Sequence, residues 1–238
     1  MDNIELWPNG PKLLQAAHAR LTTDTVLLAD FAGKTCSGNG ADLGCASGAL
    51  MILLMNRKPE LRMTGFEIVQ DAVSDASRNL LINGINERAR IIPGDMRNTV
   101  KKVPGGVFDF IVANPPYYAE ESGICSPDGE RALARAEVTC TLSDLCGISK
   151  RLCRSGGRVY FSYRANRIVQ LLHVMAESHI EPKRLRFVHH DISREAALCL
   201  VEGRRDGNPG LVVEPPLVLH LPDGNESAEY QTIYHRES

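Results

Sequence analysis

No CxxC pair occurs in this chain. Its seven cysteines (36, 45, 125, 140, 146, 153 and 199) are scattered and odd in number. That spacing excludes a zinc knuckle and, with no secretory leader ahead of it, predicts reduced thiols that mostly serve packing. The opening segment MDNIELWPNG has no basic region followed by an apolar stretch, so no signal peptide is expected. The longest apolar run near it, residues 49–55, is far short of the roughly 20 residues that cross a bilayer. A cytoplasmic protein without membrane contact is the expectation. Internal repeats, low-complexity linkers and a gross charge excess are also missing, the net charge being −2.

What is present is an ordinary globular composition, 43% hydrophobic and 24% charged, over 238 residues. That length supports one sizeable core and leaves little room for two full domains. A single domain over 1–238 is expected. Charge is uneven: residues 150–205 carry twelve Lys/Arg against five Asp/Glu, whereas the last 33 residues carry one against six. Such a basic block is a solvated face or a surface for a polyanion.

Short apolar runs alternate with helical patterns, the mark of an α/β protein with a mainly parallel sheet. Strands are predicted at 41–45, at a run ending on 66–68, and at 90–93, 108–113 and 158–163. Two late strands, 185–189 and 196–201, read as an antiparallel hairpin. Helices are predicted over 47–57 and, from an Asp71 N-cap to an Asn83-Gly84 stop, over the next stretch. A polar loop at 119–131 precedes a helix running to about 153, closed by Gly156-Gly157. A further helix covers 167–180.

Four features fall at the carboxyl ends of successive strands, where open α/β sheets bind ligands. The turn DLGCASG (42–48) has glycines that permit tight turning and close approach to a ligand, a feature common to many α/β proteins. Glu67 ends the second strand and can accept two ribose hydroxyls. Asp95, in PGDM, can accept from an exocyclic amine, or serve only as an N-cap. Sharpest is NPPY (114–117) after the apolar strand FDFIVA. Two prolines remove two donors and stiffen the turn, leaving the Asn114 and Pro115 carbonyls and the Asn114 side chain as acceptors. Acceptors on both N–H bonds of a conjugated amine favour the pyramidal form that attacks an electrophile. Tyr117 can stack on a planar substrate.

DLGCASG, FEIVQDA, PGDM and FDFIVANPPYY, in that order, resemble the motifs of class I S-adenosylmethionine-dependent methyltransferases that modify planar amino nitrogens. The resemblance implies a Rossmann-like fold with a seven-stranded, mostly parallel sheet and a C-terminal antiparallel hairpin. It also implies S-adenosylmethionine as cofactor and no metal. Asp42, Gly44, Cys45 and Gly48 would line its methionine part, Glu67 and Ile68 the ribose, and Asp95 and Met96 the adenine. Asn114, Pro115, Pro116 and Tyr117 would carry catalysis, with Asn114 also against the cofactor. Ala46 departs from the pattern, glycine being commoner there. LTTDTVLL (21–28) is similar to a TD-x-x-LL segment of the bacterial tRNA1(Val) adenine-N6 methyltransferases, where it closes over the methionine end, which implicates Thr23 and Asp24. The C-terminal signatures LVEGRR (200–205) and PGL to PPLV (209–218) look like the same subgroup.

The resemblance therefore implies a tRNA substrate methylated at adenine N6, with an N-terminal arm (1–40), a catalytic core (41–205) and a C-terminal extension (206–238). Tyr117 and Tyr118 would flank the base, and Lys183, Arg184, Arg186, Arg204 and Arg205 would hold phosphates. Guanine-N2 methylation of rRNA and glutamine-N5 methylation of release factors use related tetrapeptides and stay as alternatives. A nicotinamide oxidoreductase would require G-x-G-x-x-G, which the 42–48 turn lacks. Oligomeric state is left between monomer and weak dimer. His189-His190-Asp191 has no further Cys/His cluster to complete a metal site. His18 and His173 read as helix residues, and Trp7 as packing or RNA contact.

Overall fold

The computed structural model describes residues 2–15, 21–115 and 140–236. Asp2–Glu5 (β1) and Lys12–Gln15 (β2) pair as a small antiparallel hairpin, followed by helix α1, Thr23–Gly33. Val26 through Gly33 are all buried. A helix apolar all round must be covered on every side. It packs against β-strands, a neighbouring helix and the C-terminal helix.

The alternation read from the sequence resolves into β3 (Asn39–Leu43), α2 (Ala49–Arg57), β4 (Arg62–Glu67), α3 (Gln70–Ile82), β5 (Ala89–Pro93), α4 (Met96–Thr99) and β6 (Phe108–Ala113). After the residues that are not described come α5 (Leu142–Leu152), β7 (Cys153–Arg164), α6 (Ile168–Glu177), β8 (Ile180–Asp191) and β9 (Ala196–Arg205). The chain closes with β10 (Val212–Val213), β11 (Leu217–His220) and α7 (Ala228–Ile233). Strand order is β5-β4-β3-β6-β7-β9-β8; the first five are mutually parallel, while β9 runs antiparallel to both β7 and β8. The expected seven strands and their hairpin are present. β10 and β11 add two short parallel segments to the β8 edge, making nine. Their sequence is broken by Pro209, Pro215 and Pro216, which an edge tolerates because it leaves donors unused.

Apolar side chains fill both faces of the sheet. One cluster joins α1 and α2 to Phe110, Tyr160, Leu198 and Leu200. The other joins α5 and α6 to Phe66, Ile111, Phe161 and Val201. No helix among the described residues is long and apolar enough to cross a membrane. The six described cysteines are free thiols, five of them buried. Burial pushes the Cys36 thiol up to about 11 and those of Cys146, Cys153 and Cys199 to about 12, so they stay protonated fillers.

Three local expectations are corrected. Asp71 is not the N-cap of α3. That position is Val69, with no side-chain cap of its own, and the Val69 N–H is taken instead by Glu67 Oε1 at 2.8 Å. Gly156-Gly157 does not close α5, which already ends at Leu152; the pair lies inside β7. A Cβ at Gly157 would sit 2.5 Å from Cys153 Sγ and 2.7 Å from the Asp109 carbonyl, so glycine is there for close strand approach. The helix predicted over 167–180 is shorter, because Ile180 already belongs to β8.

Helix α7 is fastened to the sheet by a forked ion pair. Arg186, 7% exposed, meets both carboxylate oxygens of Glu229 on α7 at 2.7 Å and donates to the Pro215 carbonyl at 3.0 Å. This fork–fork geometry is the strong form of the interaction. Removing Glu229 leaves a buried guanidinium without its counter-charge. Glu229→Ala is expected to cost about 1–2 kcal/mol, seen in thermal denaturation as a fall in Tm of roughly 2–8 °C. An unchanged Tm would show that α7 is held without the clamp.

Candidate active site at the strand ends

Strand register brings the four motifs to one edge. Leu43 pairs with Phe66, Glu67 with Pro93 and Asp42 with Val112, so the segments after β3, β4, β5 and β6 emerge side by side. After β3 the chain passes through Gly44 (φ 79°), Ala46 (φ 46°) and Gly48 (φ 77°). Alternate left-handed residues fold the turn back over the end of β4. The N–H groups of Gly44 and Cys45 both donate to the Phe66 carbonyl, at 2.9 and 3.0 Å, and that of Ala46 to Glu67 Oε2 at 2.8 Å. An alanine in this region costs about 1–2 kcal/mol relative to glycine. The bond to Glu67 offsets that cost, so the departure at Ala46 is accommodated with the turn intact.

Glu67, 8% exposed, thus accepts from Ala46 on one oxygen and from Val69 on the other, with a lone pair left on each. Beside it Ile68 is 44% exposed. Asp95 N-caps α4 through Arg97 N–H at 2.9 Å, and its carboxylate is also gripped by the Arg97 guanidinium, 2.8 Å at the closest. The capping reading of Asp95 is therefore realised, and any ligand amine shares that carboxylate with Arg97. Met96 lies over the turn, its Cε 3.9 Å from where a Gly44 Cβ would be.

Asn114 follows β6 and is half-buried. Its Nδ2 donates to Thr25 Oγ1 on α1 at 3.0 Å, and its Oδ1 accepts from Ser162 Oγ on β7 at 2.5 Å. Pro115 follows it; Pro116, Tyr117, Tyr118 and the 119–131 loop lie outside the described residues, as does His18. Neither Thr25 nor Ser162 was singled out from the sequence. A hydroxyl at the third position of a TD-x-x-LL segment and a serine within a strand carry no local signal.

A sequence profile of the methyltransferase small domain matches residues 17–126. The chain is 29% identical over 222 residues to a Porphyromonas gingivalis protein named tRNA1(Val) (adenine(37)-N6)-methyltransferase, covering 89% of this chain and 85% of that one. It is 25% identical over 215 residues to an Aliivibrio salmonicida protein of the same name, covering 90% and 89%. A Chlorobaculum tepidum release factor glutamine methyltransferase is 38% identical over 80 residues, 33% of this chain and 27% of that one. Among solved structures, a predicted O-methyltransferase of Agrobacterium tumefaciens superposes with TM-score 0.73 at 18% identity, covering 91% and 98%. A geranyl diphosphate methyltransferase in complex with S-adenosylmethionine superposes at 0.54 and 14% identity, covering 76% and 84%. The fold is that of the class I methyltransferases, and the profile and named relatives support an S-adenosylmethionine-dependent methyltransferase.

The donor set of this methyltransferase fits that cofactor. Because the turn spends its first three N–H groups on β4, it lacks the run of free donors that a pyrophosphate requires. It offers carbonyls and small exposed residues above two acids, Asp42 and Glu67. Asp42 is 1% exposed and its Oδ2 has no hydrogen-bond partner among the described residues. The orphaned Asp42 oxygen and the remaining Glu67 lone pairs suit a ligand that brings hydrogen-bond donors, and exposed Ile68 with Met96 suits a flat ring. Thr23 is bonded to the Tyr234 hydroxyl of the C-terminal segment, and Asp24 lies beside it in the first turn of α1.

The five cations picked out by charge are not gathered here. Arg184 pairs with Glu202 and Glu214 and lies 4.0 Å over the Phe31 ring, and Arg186 is the α7 clamp. Lys183 Nζ donates to the Asn208 carbonyl, Arg204 to that of Gly156 and Arg205 to that of Cys153. By register Arg204 is level with Arg158 and Phe110, roughly 13 Å along the strand from the Asn114 end. His190 stacks on His220 at 4.5 Å, and His189 Nδ1 bonds the Arg194 carbonyl at 2.9 Å. Trp7 stacks on His235 at 4.1 Å, and His173 pairs with Glu177 at 3.3 Å.

Burial, with the charge of Glu67 adding to it, pushes the Asp42 carboxyl up from 3.8 to about 8. An acid raised in the fold stabilises fully below its unfolded value, and this stabilisation is lost as pH rises through the folded one. Asp42→Asn removes the titration. Its Tm, relative to the parent without cofactor, is expected to rise steadily between pH 4 and pH 8 by several degrees. A difference independent of pH would contradict the burial argument.

Proposed function

We propose that this methyltransferase moves a methyl group from S-adenosylmethionine to the exocyclic N6 amine of an adenine in tRNA, adenine-37 of the tRNA1(Val) anticodon loop. Support comes from relatives of that name aligned over about nine-tenths of the chain. The release-factor relative aligns over a third of it. The observation that carries the chemistry is the Asn114 carboxamide, fixed by two hydroxyls beside the cofactor turn.

In this reading Asp42, Gly44, Cys45 and Gly48, with Thr23 and Asp24 above them, hold the amino-acid part of the cofactor. Glu67 and Ile68 take the ribose, and Asp95 and Met96 the adenine. Bound S-adenosylmethionine supplies an activated methyl on a sulfonium leaving group, so alignment dominates and no metal is required. Asn114 Oδ1 and the Pro115 carbonyl accept the two amine N–H bonds, and Tyr117 stacks on the base, with Tyr118 beside it. Among the described residues the hydrogen-bond partners of the Asn114 side chain are hydroxyls, and the amine proton leaves to water after attack. An anticodon-loop base reaches such a cleft by unstacking. Phosphates would meet Arg164 and Arg167, at and just after the end of β7 on the strand-end edge. Residues 1–40 and 206–238 act as covering arm and brace around a core at 41–205, and the setting is the cytoplasm.

The test is transfer of labelled methyl to separated tRNA, rRNA and release-factor fractions, with the product identified after digestion. N6-methyladenosine confined to tRNA is expected; label in N2-methylguanosine or methylglutamine would overturn the substrate. Asn114→Ala is expected to keep cofactor affinity within about threefold while transfer falls at least about 100-fold. Undiminished transfer would remove Asn114 from the chemistry.

A further inference from the structure

The two hydroxyls on Asn114 come from distant parts of the chain, the first turn of α1 and the end of β7. We propose that Thr25 and Ser162 are positioning residues that lock the Asn114 carboxamide in one of its two flipped orientations, with Oδ1 toward the incoming amine. This rests on the role given to Asn114 above.

The bond directions are set by what surrounds them. Thr25 Oγ1 lies 3.0 Å from Thr22 Oγ1, the N-cap of α1. With its proton directed there, Thr25 presents lone pairs to Asn114 Nδ2. Ser162 is fully buried, and the one hydrogen bond its hydroxyl makes among the described residues is to Asn114 Oδ1. Flipping the amide would put an N–H toward the amine's own N–H bonds and strand the buried hydroxyl proton. The terminal torsion of asparagine is otherwise broad and nearly two-fold. Without the clamp, part of the population would therefore offer the amine a donor in place of an acceptor. Ser162 uses one of the two lone pairs of Oδ1, and the second is left for the substrate.

The support for Thr25 extends outward. Thr23, two residues before it, is held by Tyr234, and α1 is packed on α7. The arm and the C-terminal brace therefore act on the reacting amine through a single side-chain hydroxyl.

The experiment uses the full chain with saturating S-adenosylmethionine and the acceptor that the parent enzyme labels. Single-turnover rates are measured for Thr25→Val, Thr25→Ser, Ser162→Ala, Asn114→Ala and the Ser162→Ala/Asn114→Ala pair. Ser162→Ala and Thr25→Val are each expected to slow transfer about tenfold, the equivalent of one hydrogen bond, with cofactor affinity within about twofold. Thr25→Ser recovers most of the Thr25→Val loss. In the Asn114→Ala background Ser162→Ala costs less than about twofold more, because the group it positions is gone. Independently of any acceptor, the Asn114 carboxamide protons are expected to give two sharp, separate NMR signals in the parent and broadened or shifted ones in Ser162→Ala. Parent-like rates in both single variants, a Ser162→Ala loss that multiplies onto that of Asn114→Ala, or an unchanged carboxamide spectrum would overturn the positioning role. If Ser162→Ala does not fold, the Thr25 pair decides alone. Parent-like transfer by Asn114→Ala itself would instead overturn the proposed function, so the two failures are distinguishable.

Discussion

The carboxylate of Glu67 joins the two loops on which the cleft depends. One oxygen holds the Ala46 N–H and the other the Val69 N–H, so the turn after β3 and the entry to α3 are both tied to the end of β4. Glu67 is almost buried in doing this, and amide bonds to a carboxylate are of the strong, charge-assisted kind. They also explain how a left-handed alanine survives at position 46 and how α3 begins without a capping side chain. The same carboxylate raises the energy of a second charge at Asp42 beneath the turn. The floor that results is poorly suited to an anion and keeps acceptor lone pairs for a ligand's donors.

Around this junction, segments remote in sequence are fastened by side chains that imitate backbone. Asn79 on α3 and Asn83, the residue that caps its C-terminus, each pair with both the N–H and the C=O of a β2 residue, Leu14 and Lys12, as an adjacent strand would. Asn79 also donates to the Ser47 carbonyl in the cofactor turn. The N-terminal hairpin, the turn and α3 are thereby one unit. On the other side Arg186–Glu229 seats α7 on β8 and Tyr234–Thr23 ties its end to α1, and α1 reaches Asn114 through Thr25.

Much of this was legible in the sequence because it is local. The run FDFIVA is β6 to the residue, and the β8–β9 hairpin and the strand-end placing of Gly44, Glu67, Asp95 and Asn114 follow from periodicity and turn chemistry. Contacts decided by partners far along the chain were not legible. Charge counting marked Arg184 and Arg186 as free for a polyanion, but Glu202, Glu214 and Glu229 lie across from them in space. Gly157 read as a helix stop because nothing nearby in sequence shows that Asp109 and Cys153 crowd it. β10 and β11 are too short and proline-broken to show a period. Thr25, Ser162, Asn79 and Asn83 are ordinary polar residues until the fold supplies their partners.

The most direct test of the account is the dissociation constant of S-adenosylmethionine for the parent and for Glu67→Gln. The amide keeps the size of the side chain but turns one acceptor into a donor facing a backbone N–H. The account predicts that binding weakens at least about tenfold, with one charge-assisted bond lost and the 44–48 turn released from β4. Affinity equal to the parent's would contradict the claim that this carboxylate organises the site.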